Sequence, residues 1–423
     1  MTGTRQILTL IGLTLGHALS GAAPAQNAIA DWHAITESTV VGTAKKSPSV
    51  AYVYFAYVDV AMYDAVNAIG GHFKPFAVET YAPPGASQDA AAATAARDVL
   101  VHYFSGQALA LNADWSASMA AIADGQAKTD GISVGHAVAA QWLSLRTGDG
   151  LEAPVAYVWG HGPGIWEPVP TFPAPPPNTP PAPVAPWQAQ FKPFALLSAD
   201  QFLADVPPPP SLTSATFTRD SNQTKDYGAL NSSVRTPEQT EIGRFWTDNP
   251  AAQFSRSLRA LIASQGLDTA RAARLGAMSF VALADSVTAC FNAKYHFAFW
   301  RPYTAIHNAD TDGNPDTVAD PNWVPLAVTP GHPEYPAAHG CGTEALMDTL
   351  TEFFETEEIP FTVTSTVTGT THAFNNFEDV VTEVDNARIY GGMHFHHSVK
   401  EGNRLGRRVA DYVLRTQFRP KDE

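Results

Sequence analysis

A proline-rich segment near the middle of this 423-residue chain limits how the chain can fold. Residues 160–212 include the nearly uncharged runs IWEPVPTFPAPPPNTPPAPVAPW and DVPPPPSL. Proline has no backbone N–H and fixes its own backbone angle, so this segment predicts an extended connector without regular hydrogen bonding. The chain is therefore divided into two parts, and each must supply its own regular structure.

Both parts show helical periodicity, and no strand alternation persists across the N-terminal part. Eight segments place apolar residues at helical spacing. They are residues 51–69, 88–104, 107–123, 132–146, 267–305, 336–354, 377–390 and 399–416. A short strand pair is expected only near residues 361–366. We therefore predict an all-α fold, with helical bundles around a buried site and little β-structure.

The N-terminus has the pattern of an export signal. Arg5 is followed by a mostly apolar run at residues 7–19 and by the small-residue site Ala23-Pro24-Ala25. This order of charge, apolar run and cleavage site is typical of a signal peptide, although a buried N-terminal helix is an alternative. We expect cleavage near Gln26 and an exported protein, either periplasmic or extracellular.

The predicted organisation has four parts: a signal peptide at 1–25, an N-terminal helical half at 26–159, a proline-rich connector at 160–234 and a C-terminal helical half at 235–423. The net charge of −15 argues against nucleic acid or anionic membrane surfaces as partners. The apolar run at residues 7–19 is too short to span a bilayer, so no membrane insertion is predicted. Any anion site must be a local basic pocket.

Cations and imidazoles recur in three clusters of the C-terminal half. The first is Lys294 and Arg301, seven residues apart; if residues 267–305 form one helix, these two share a face. The second is His339, which follows Pro336 at the expected start of a helix. There the first N–H groups, including that of Ala338, lack helical partners and can bind an anion.

The third cluster is Arg388 and His394, at the end of a predicted helix and in the loop beyond it. Gly391 and Gly392 are expected to end that helix. Ser398 is expected to begin the next helix as its N-cap. Together the three clusters offer three fixed positive charges and two histidines, an inventory that fits a compact oxyanion.

The chain has only two cysteines, Cys290 and Cys341, each a few residues from one of these clusters. Export permits a disulfide between them. Two buried free thiols are an equal alternative, because cysteine is a common core residue. Two cysteines are too few for a thiolate zinc site or a disulfide-stapled miniature fold.

The three clusters, taken in order, resemble a known signature. Lys294–Arg301–Pro302, Pro336-Ala337-Ala338-His339 and Arg388–His394 match K-x6-R-P, P-x-x-H and R-x5-H. This signature is shared by vanadium-dependent haloperoxidases and the type 2 phosphatidic acid phosphatase superfamily, and the whole chain is similar to soluble, exported bacterial haloperoxidase-like members. The chain departs from the usual signature in two places. It has Pro336-Ala337-Ala338-His339 where P-S-G-H is usual, and Ala387 where a serine usually precedes the arginine of the third cluster.

The resemblance implies vanadate as cofactor. It implies that Nε2 of His394 binds vanadium and that His339 acts as acid and base. The oxygens would be held by Lys294, Arg301, Arg388 and the N–H of Ala338, and Lys294 would also polarise the peroxide. The implied substrates are hydrogen peroxide with a halide or a small organic molecule, and the implied product is a hypohalous acid equivalent.

Two other functions are compatible with the same residues. In a soluble, exported acid phosphatase, His394 would be the nucleophile that forms a phosphohistidine, and His339 would protonate the leaving oxygen. The alanine substitutions also admit an inactive, exported helical binding protein. Whether the protein forms a homo-oligomer is left open by the sequence.

Overall fold

The computed structural model describes residues 27–169 and 182–421. The predicted signal peptide at residues 1–25 lies outside these ranges. The regular structure of the described part is almost entirely helical, as the sequence predicts, with thirteen α-helices and one short hairpin. The helices of the N-terminal half and connector are α1 Ala28–Glu37, α2 Pro48–Gly70, α3 Gln88–Tyr103, α4 Ala108–Ala121, α5 Gln126–Leu145 and α6 Ala215–Gly228.

The C-terminal half carries the remaining elements. They are α7 Pro237–Phe245, α8 Pro250–Ser264, α9 Thr269–Phe297, α10 Pro302–His307, α11 Ala338–Phe354, β1 Phe361–Thr364, β2 Thr371–Phe374, α12 Phe377–Tyr390 and α13 His396–Thr416. The two strands pair antiparallel, with Phe361 opposite Phe374. The predicted strand pair is therefore a hairpin whose second strand lies further along the chain than expected.

Helix α9 is the central element of the fold. It packs against α2 of the N-terminal half and against α11 and α13 of the C-terminal half. By length and composition α9 could cross a membrane, but 94% of its apolar window is buried within the fold, as in a core helix. The two halves therefore share one hydrophobic core, and α9 brings them together.

The expected single helix over residues 267–305 is wrong. Helix α9 ends at Phe297, because Ala298 has left-handed angles (φ 48°, ψ 42°). Arg301 is extended (φ −81°, ψ 156°), as expected for a residue that precedes proline, and Pro302 begins α10. Lys294 and Arg301 therefore do not share a helix face, and Arg301 lies in the turn between two helices.

Two other helix starts differ from the prediction. Helix α11 begins at Ala338 with Ala337 as N-cap, so Pro336 precedes the helix rather than forming its first turn. Helix α13 begins at His396 with Phe395 as N-cap, so Ser398 lies inside it. The carbonyl of Ser398 accepts the N–H of Ala337 at 3.0 Å, so the N-cap of α11 contacts the first turn of α13.

The predicted connector contains one helix that its proline pattern did not indicate. Helix α6 starts after Ser214, whose hydroxyl accepts the N–H of Phe217. The hydroxyl of Thr224 on α6 donates to the carbonyl of His394 at 3.1 Å. Earlier in the connector, the N–H of Trp166 donates to the carbonyl of Ala298 at 2.7 Å. The connector thus packs on the segments that carry the candidate site.

Candidate active site

The structure brings the five residues of the three clusters together at one buried place. His339 and Arg388 line one cavity together with His394. The guanidinium of Arg301 lies 3.1 Å from Nε2 of His394, measured from Nη1. Lys294 is fully buried beside them and lowers the pKa of His339 through its charge. The last turn of α9, the first turn of α11, the end of α12 and two connecting segments thus supply one site.

Backbone carbonyls fix the two cations of the first cluster. The ammonium of Lys294 donates to the carbonyls of Pro333 and Glu334, at 3.0 and 2.8 Å. Nε of Arg301 donates to the carbonyl of His332, and Nη1 donates to that of Met393, both at 2.9 Å. Burial lowers the pKa of Lys294 to about 8 and that of Arg301 to about 10, so both stay protonated at neutral pH.

The imidazole of His394 is held in one tautomer by Glu334. Nδ1 of His394 lies 2.8 Å from Oε1 of Glu334, and the same oxygen accepts the N–H of Phe395 at 3.0 Å. Burial, followed by the charges of Arg301 and Lys294, holds the pKa of His394 well below its usual range. The ring is therefore neutral, its Nδ1–H donates to the carboxyl group, and its Nε2 carries a lone pair that accepts from Nη1 of Arg301 at 3.1 Å.

Glu334 is the main residue that the sequence analysis missed. It is fully buried, and burial raises its pKa to about 7 against the opposing charges of Lys294 and Arg301. Its signal was a single carboxylate in HPEYP, between two prolines and next to a cluster. Sixty residues separate it from His394, so no local pattern could join them. His332, from the same segment, also lines the cavity and was missed.

Arg388 has no acidic partner within the described part of the chain. Nη1 donates to the carbonyl of Trp246 at 3.0 Å, Nη2 lies 3.1 Å from the sulfur of Met393, and Nε has no partner. Burial, with a smaller contribution from Arg301, lowers the pKa of Arg388 to about 9, which leaves the guanidinium charged at neutral pH. A buried charge left without a partner is costly unless a ligand neutralises it.

His339 also presents an unpartnered atom. Its Nε2 is buried with no hydrogen-bond partner among the described residues. Burial and the charge of Arg388 hold the pKa of His339 well below its usual range, so the ring is neutral. Ala338 lines the same cavity at the first position of α11. The N–H of Ala337, by contrast, is already bonded and is not available to a ligand.

The unpartnered donors fit an oxyanion. Of the three buried cations, Lys294 and Arg301 interact with the carboxyl group of Glu334, and Arg388 has no acidic partner in the described ranges, so an anion would supply the missing negative charge. In residues 27–169 and 182–421, no three His, Cys, Asp or Glu side chains are grouped so that they could hold a bare metal cation. The donor set therefore suits a metal delivered as an oxyanion, such as vanadate, and equally suits phosphate.

The cysteines are free thiols, so the disulfide that was considered from sequence is not formed. Cys290 and Cys341 are both fully buried, on α9 and α11. The thiol of Cys290 lies 3.6 Å from the carbonyl of Pro336 and donates to it. Between the two alternatives left open above, the structure has the pair of buried thiols.

The C-terminal half matches a known family. Residues 274–421 match the family model described as the VCPO second helical-bundle domain, and this range contains all five residues of the site. A vanadium chloroperoxidase from Curvularia inaequalis is 28% identical over 224 aligned residues, which cover 42% of this chain. The match spans 35% of that relative's length.

Solved structures share the fold over nearly the whole chain. A bacterial vanadium-dependent iodoperoxidase has a TM-score of 0.77 and 22% identity, covering 93% of this chain and 95% of its own. An apo-type bacterial vanadium-dependent chloroperoxidase has a TM-score of 0.71 and 16% identity, covering 88% and 94%. Together these matches support the vanadium haloperoxidase superfamily for this chain. The chain keeps the three cations and two histidines of the signature described above, and it has Ala337 and Ala387 in place of the signature serines.

Proposed function

We propose that this protein is a vanadate-dependent haloperoxidase that oxidises halide with hydrogen peroxide to a hypohalous acid equivalent. One observation carries the proposal: His394 is a neutral imidazole whose tautomer is fixed by Glu334, and it lies among three buried cations, one of which, Arg388, has an unpartnered Nε. A vanadium–imidazole bond requires such a deprotonated Nε2. The surrounding cations supply the charge that an oxyanion needs.

Each residue has a role in this proposal. Nε2 of His394 would hold the vanadium, while Lys294, Arg301, Arg388 and the N–H of Ala338 would hold its oxygens. When bound, vanadate would supply Lewis-acid activation of peroxide. The rigid contacts of Lys294 and Arg301 with backbone carbonyls mean that little reorganisation is needed when the anion enters.

His339 is the residue we assign to proton transfer. Its neutral ring has a free Nε2 at the cavity, so it can take a proton from an incoming peroxide and return it to a leaving oxygen. Its position in the first turn of α11 places it beside the helix N-terminus, where developing negative charge is favoured. His394 is excluded from this role because its Nε2 would hold the vanadium and its Nδ1 is engaged by Glu334.

The alanine substitutions lower the expected affinity for the oxyanion without removing the site. The hydroxyl that would stand at Ala337 could donate one charge-assisted hydrogen bond, worth roughly 1.5–3 kcal/mol. The cations and Ala338 remain in place. We therefore expect vanadate binding that is weaker than in a site with the full P-S-G-H motif.

A phosphatase is the second candidate, and the pairing of Glu334 with His394 favours it. A carboxyl group that orients an imidazole also activates that imidazole as a nucleophile, so His394 could form a phosphohistidine while His339 protonates the leaving oxygen. A protein with no ligand at this site is less well supported, because it would keep the charge of Arg388 buried without an acidic partner among the described residues.

A paired assay separates these functions. Purified protein with vanadate is given peroxide and iodide or bromide, and protein without vanadate is given an aromatic phosphomonoester. We expect halide oxidation that depends on vanadate and is abolished in His394→Ala. His136→Ala, an exposed histidine on α5, is the matched control and should retain activity. Phosphatase activity that vanadate inhibits, without halide oxidation, would instead establish the second candidate.

We also infer that the protein is exported, from the signal-peptide pattern of residues 1–25. Expression of the full chain in a bacterial host, followed by N-terminal sequencing of the periplasmic and culture fractions, tests this inference. A mature N-terminus near Gln26 supports export. Recovery of the uncleaved chain in the cytoplasm contradicts it.

A further inference from the structure

The cavity above the site is larger than halide and peroxide require. It has a volume of about 200 Å³. One water molecule needs only ~10–15 Å³ of such space, so the cavity has room for a molecule much larger than a halide ion or peroxide. A chamber of this size, with the cationic site at one end, can hold an organic molecule next to the place where oxidised halogen would be generated.

The walls of this chamber are mostly hydrocarbon. They come from α2, the connector, α8, α9 and the segment before α11, so both halves of the chain contribute. The apolar residues that line it are Pro48, Val184, Pro250, Val287, Phe291 and Pro330. Apolar surface gains free energy when it contacts apolar surface and penalises an unpartnered charge. The chamber therefore selects a neutral, largely apolar molecule.

Three hydroxyl-bearing residues, Ser47, Ser49 and Tyr52, interrupt this apolar wall. Tyr52 on α2 is 5% exposed, lines the cavity and makes no hydrogen bond within the described ranges of the chain. Its hydroxyl lies above Gly342, one helical turn beyond His339 on α11; a Cβ built on that glycine would lie 3.8 Å from the oxygen. Burial raises the pKa of Tyr52 well above its usual range, so the hydroxyl stays a donor.

The chamber also offers an aromatic face. The ring of Phe291 lines it and lies 4.9 Å from the ring of His332. Aromatic rings pack favourably on one another and on flat proline rings. A substrate with one aromatic ring and one hydrogen-bond acceptor would satisfy the free hydroxyl of Tyr52 and cover the apolar wall at the same time.

We propose that this cavity binds a phenol, with its oxygen on the Tyr52 hydroxyl and its ring against Phe291, so that halogen is transferred within the cavity. The proposal rests on the haloperoxidase function proposed above. One ring C–H bond is replaced by a carbon–halogen bond. The halide is oxidised as the O–O bond of hydrogen peroxide is reduced. Two water molecules form. They contain the two oxygens and two hydrogens of the peroxide, the proton lost from the ring and one proton from solution.

Binding is tested first, without vanadate. The full protein is titrated with 4-fluorophenol and followed by fluorine NMR. We expect saturable binding that Tyr52→Phe weakens about 2- to 12-fold, the effect of losing one neutral hydrogen bond. Tyr63→Phe is the matched control: Tyr63 lies on the same helix and donates to the carbonyl of Lys74, away from the cavity. Equal binding by wild type and Tyr52→Phe would overturn the assignment of Tyr52.

The second measurement uses vanadate-loaded wild type with peroxide and a halide. Triiodide formation from iodide alone tests the haloperoxidase function separately from the phenol site. With bromide and 4-fluorophenol, we expect saturation in the phenol and product proportions different from those made by reagent hypobromite. If triiodide forms but 4-fluorophenol neither binds nor gives distinct products, the phenol site is wrong and the haloperoxidase stands. If no triiodide forms, the proposed function itself fails.

Discussion

Glu334 sets the tautomer of His394, so replacing it tests the site at its most sensitive contact. Its Oε1 accepts both the Nδ1–H of His394 and the N–H of Phe395. Glu334→Ala removes that acceptor, which frees the ring to rotate or to carry its proton on Nε2. Glu334→Gln keeps an acceptor oxygen at the same place but removes the charge.

The structure gives the size of the expected effects. A hydrogen bond between an imidazole and a carboxylate contributes roughly 1.5–3 kcal/mol. Removing such a supporting partner typically weakens metal binding about 10- to 100-fold, which is the same range. We therefore expect Glu334→Ala to weaken vanadate binding by that factor. Glu334→Gln should weaken it less, because a neutral hydrogen bond is roughly half as strong.

Isothermal titration calorimetry measures the vanadate affinity of wild type and of these variants. The titration is run at pH 8, because Glu334 has a pKa of about 7 and is ionised there. Glu344→Ala is the control, since Glu344 is a buried carboxylate on α11 that pairs with Arg407 instead of a site residue. Thermal unfolding of each variant shows whether the fold is intact. Wild-type affinity in a folded Glu334→Ala protein would refute the role given to Glu334.

Two further predictions concern stability. The pKa of His372 is raised above 6.5, because its hydrogen bond to Glu383 and a second carboxylate outweigh the opposing effect of burial. The contribution of His372 to the free energy of unfolding is therefore fully present below pH ~6.5 and is lost as the pH rises through the raised pKa. In urea unfolding, His372→Gln should lower the free energy of unfolding more at pH 6 than at pH 8.5. A Cβ at Gly402 would approach the carbonyl of Ala337 to 2.5 Å, so Gly402→Ala should cost about 1–3 kcal/mol and weaken vanadate binding by displacing the start of α11. Gly106→Ala, where a Cβ meets nothing within 4 Å, should change neither the free energy of unfolding nor the vanadate affinity. If the two glycine variants have the same stability and the same affinity, this packing argument is wrong.

Local signals predicted most of the helices. Residues 377–390 form α12 as predicted, and α3 ends one residue before its predicted end. Such elements depend on apolar spacing and on caps within a few residues, both of which are visible in sequence. The capping box of Thr236 and Gln239 at the start of α7 is of the same kind. The starts of α11 and α13 depend on contacts with distant segments, and they differ from the predicted starts.

The error at Arg301 shows where periodicity is insufficient. A spacing of seven predicted a shared helix face with Lys294, but the chain leaves the helix at Ala298. The preference of a residue before proline for extended backbone was a signal that pointed to this break. In the observed turn, Arg301 reaches carbonyls from two separate segments, those of His332 and Met393, as well as the ring of His394.

The sequence by itself determined the helical class and the five charged and imidazole residues of the site, because periodicity and side-chain chemistry are local properties. Only the tertiary structure joined Glu334 to His394 and brought Tyr52 of the N-terminal half over the site. Those contacts link residues far apart in the chain, and they exist because α9 buries one face against α2 and another against α11. The residues that neighbour each of these positions in the sequence do not reveal such long-range packing.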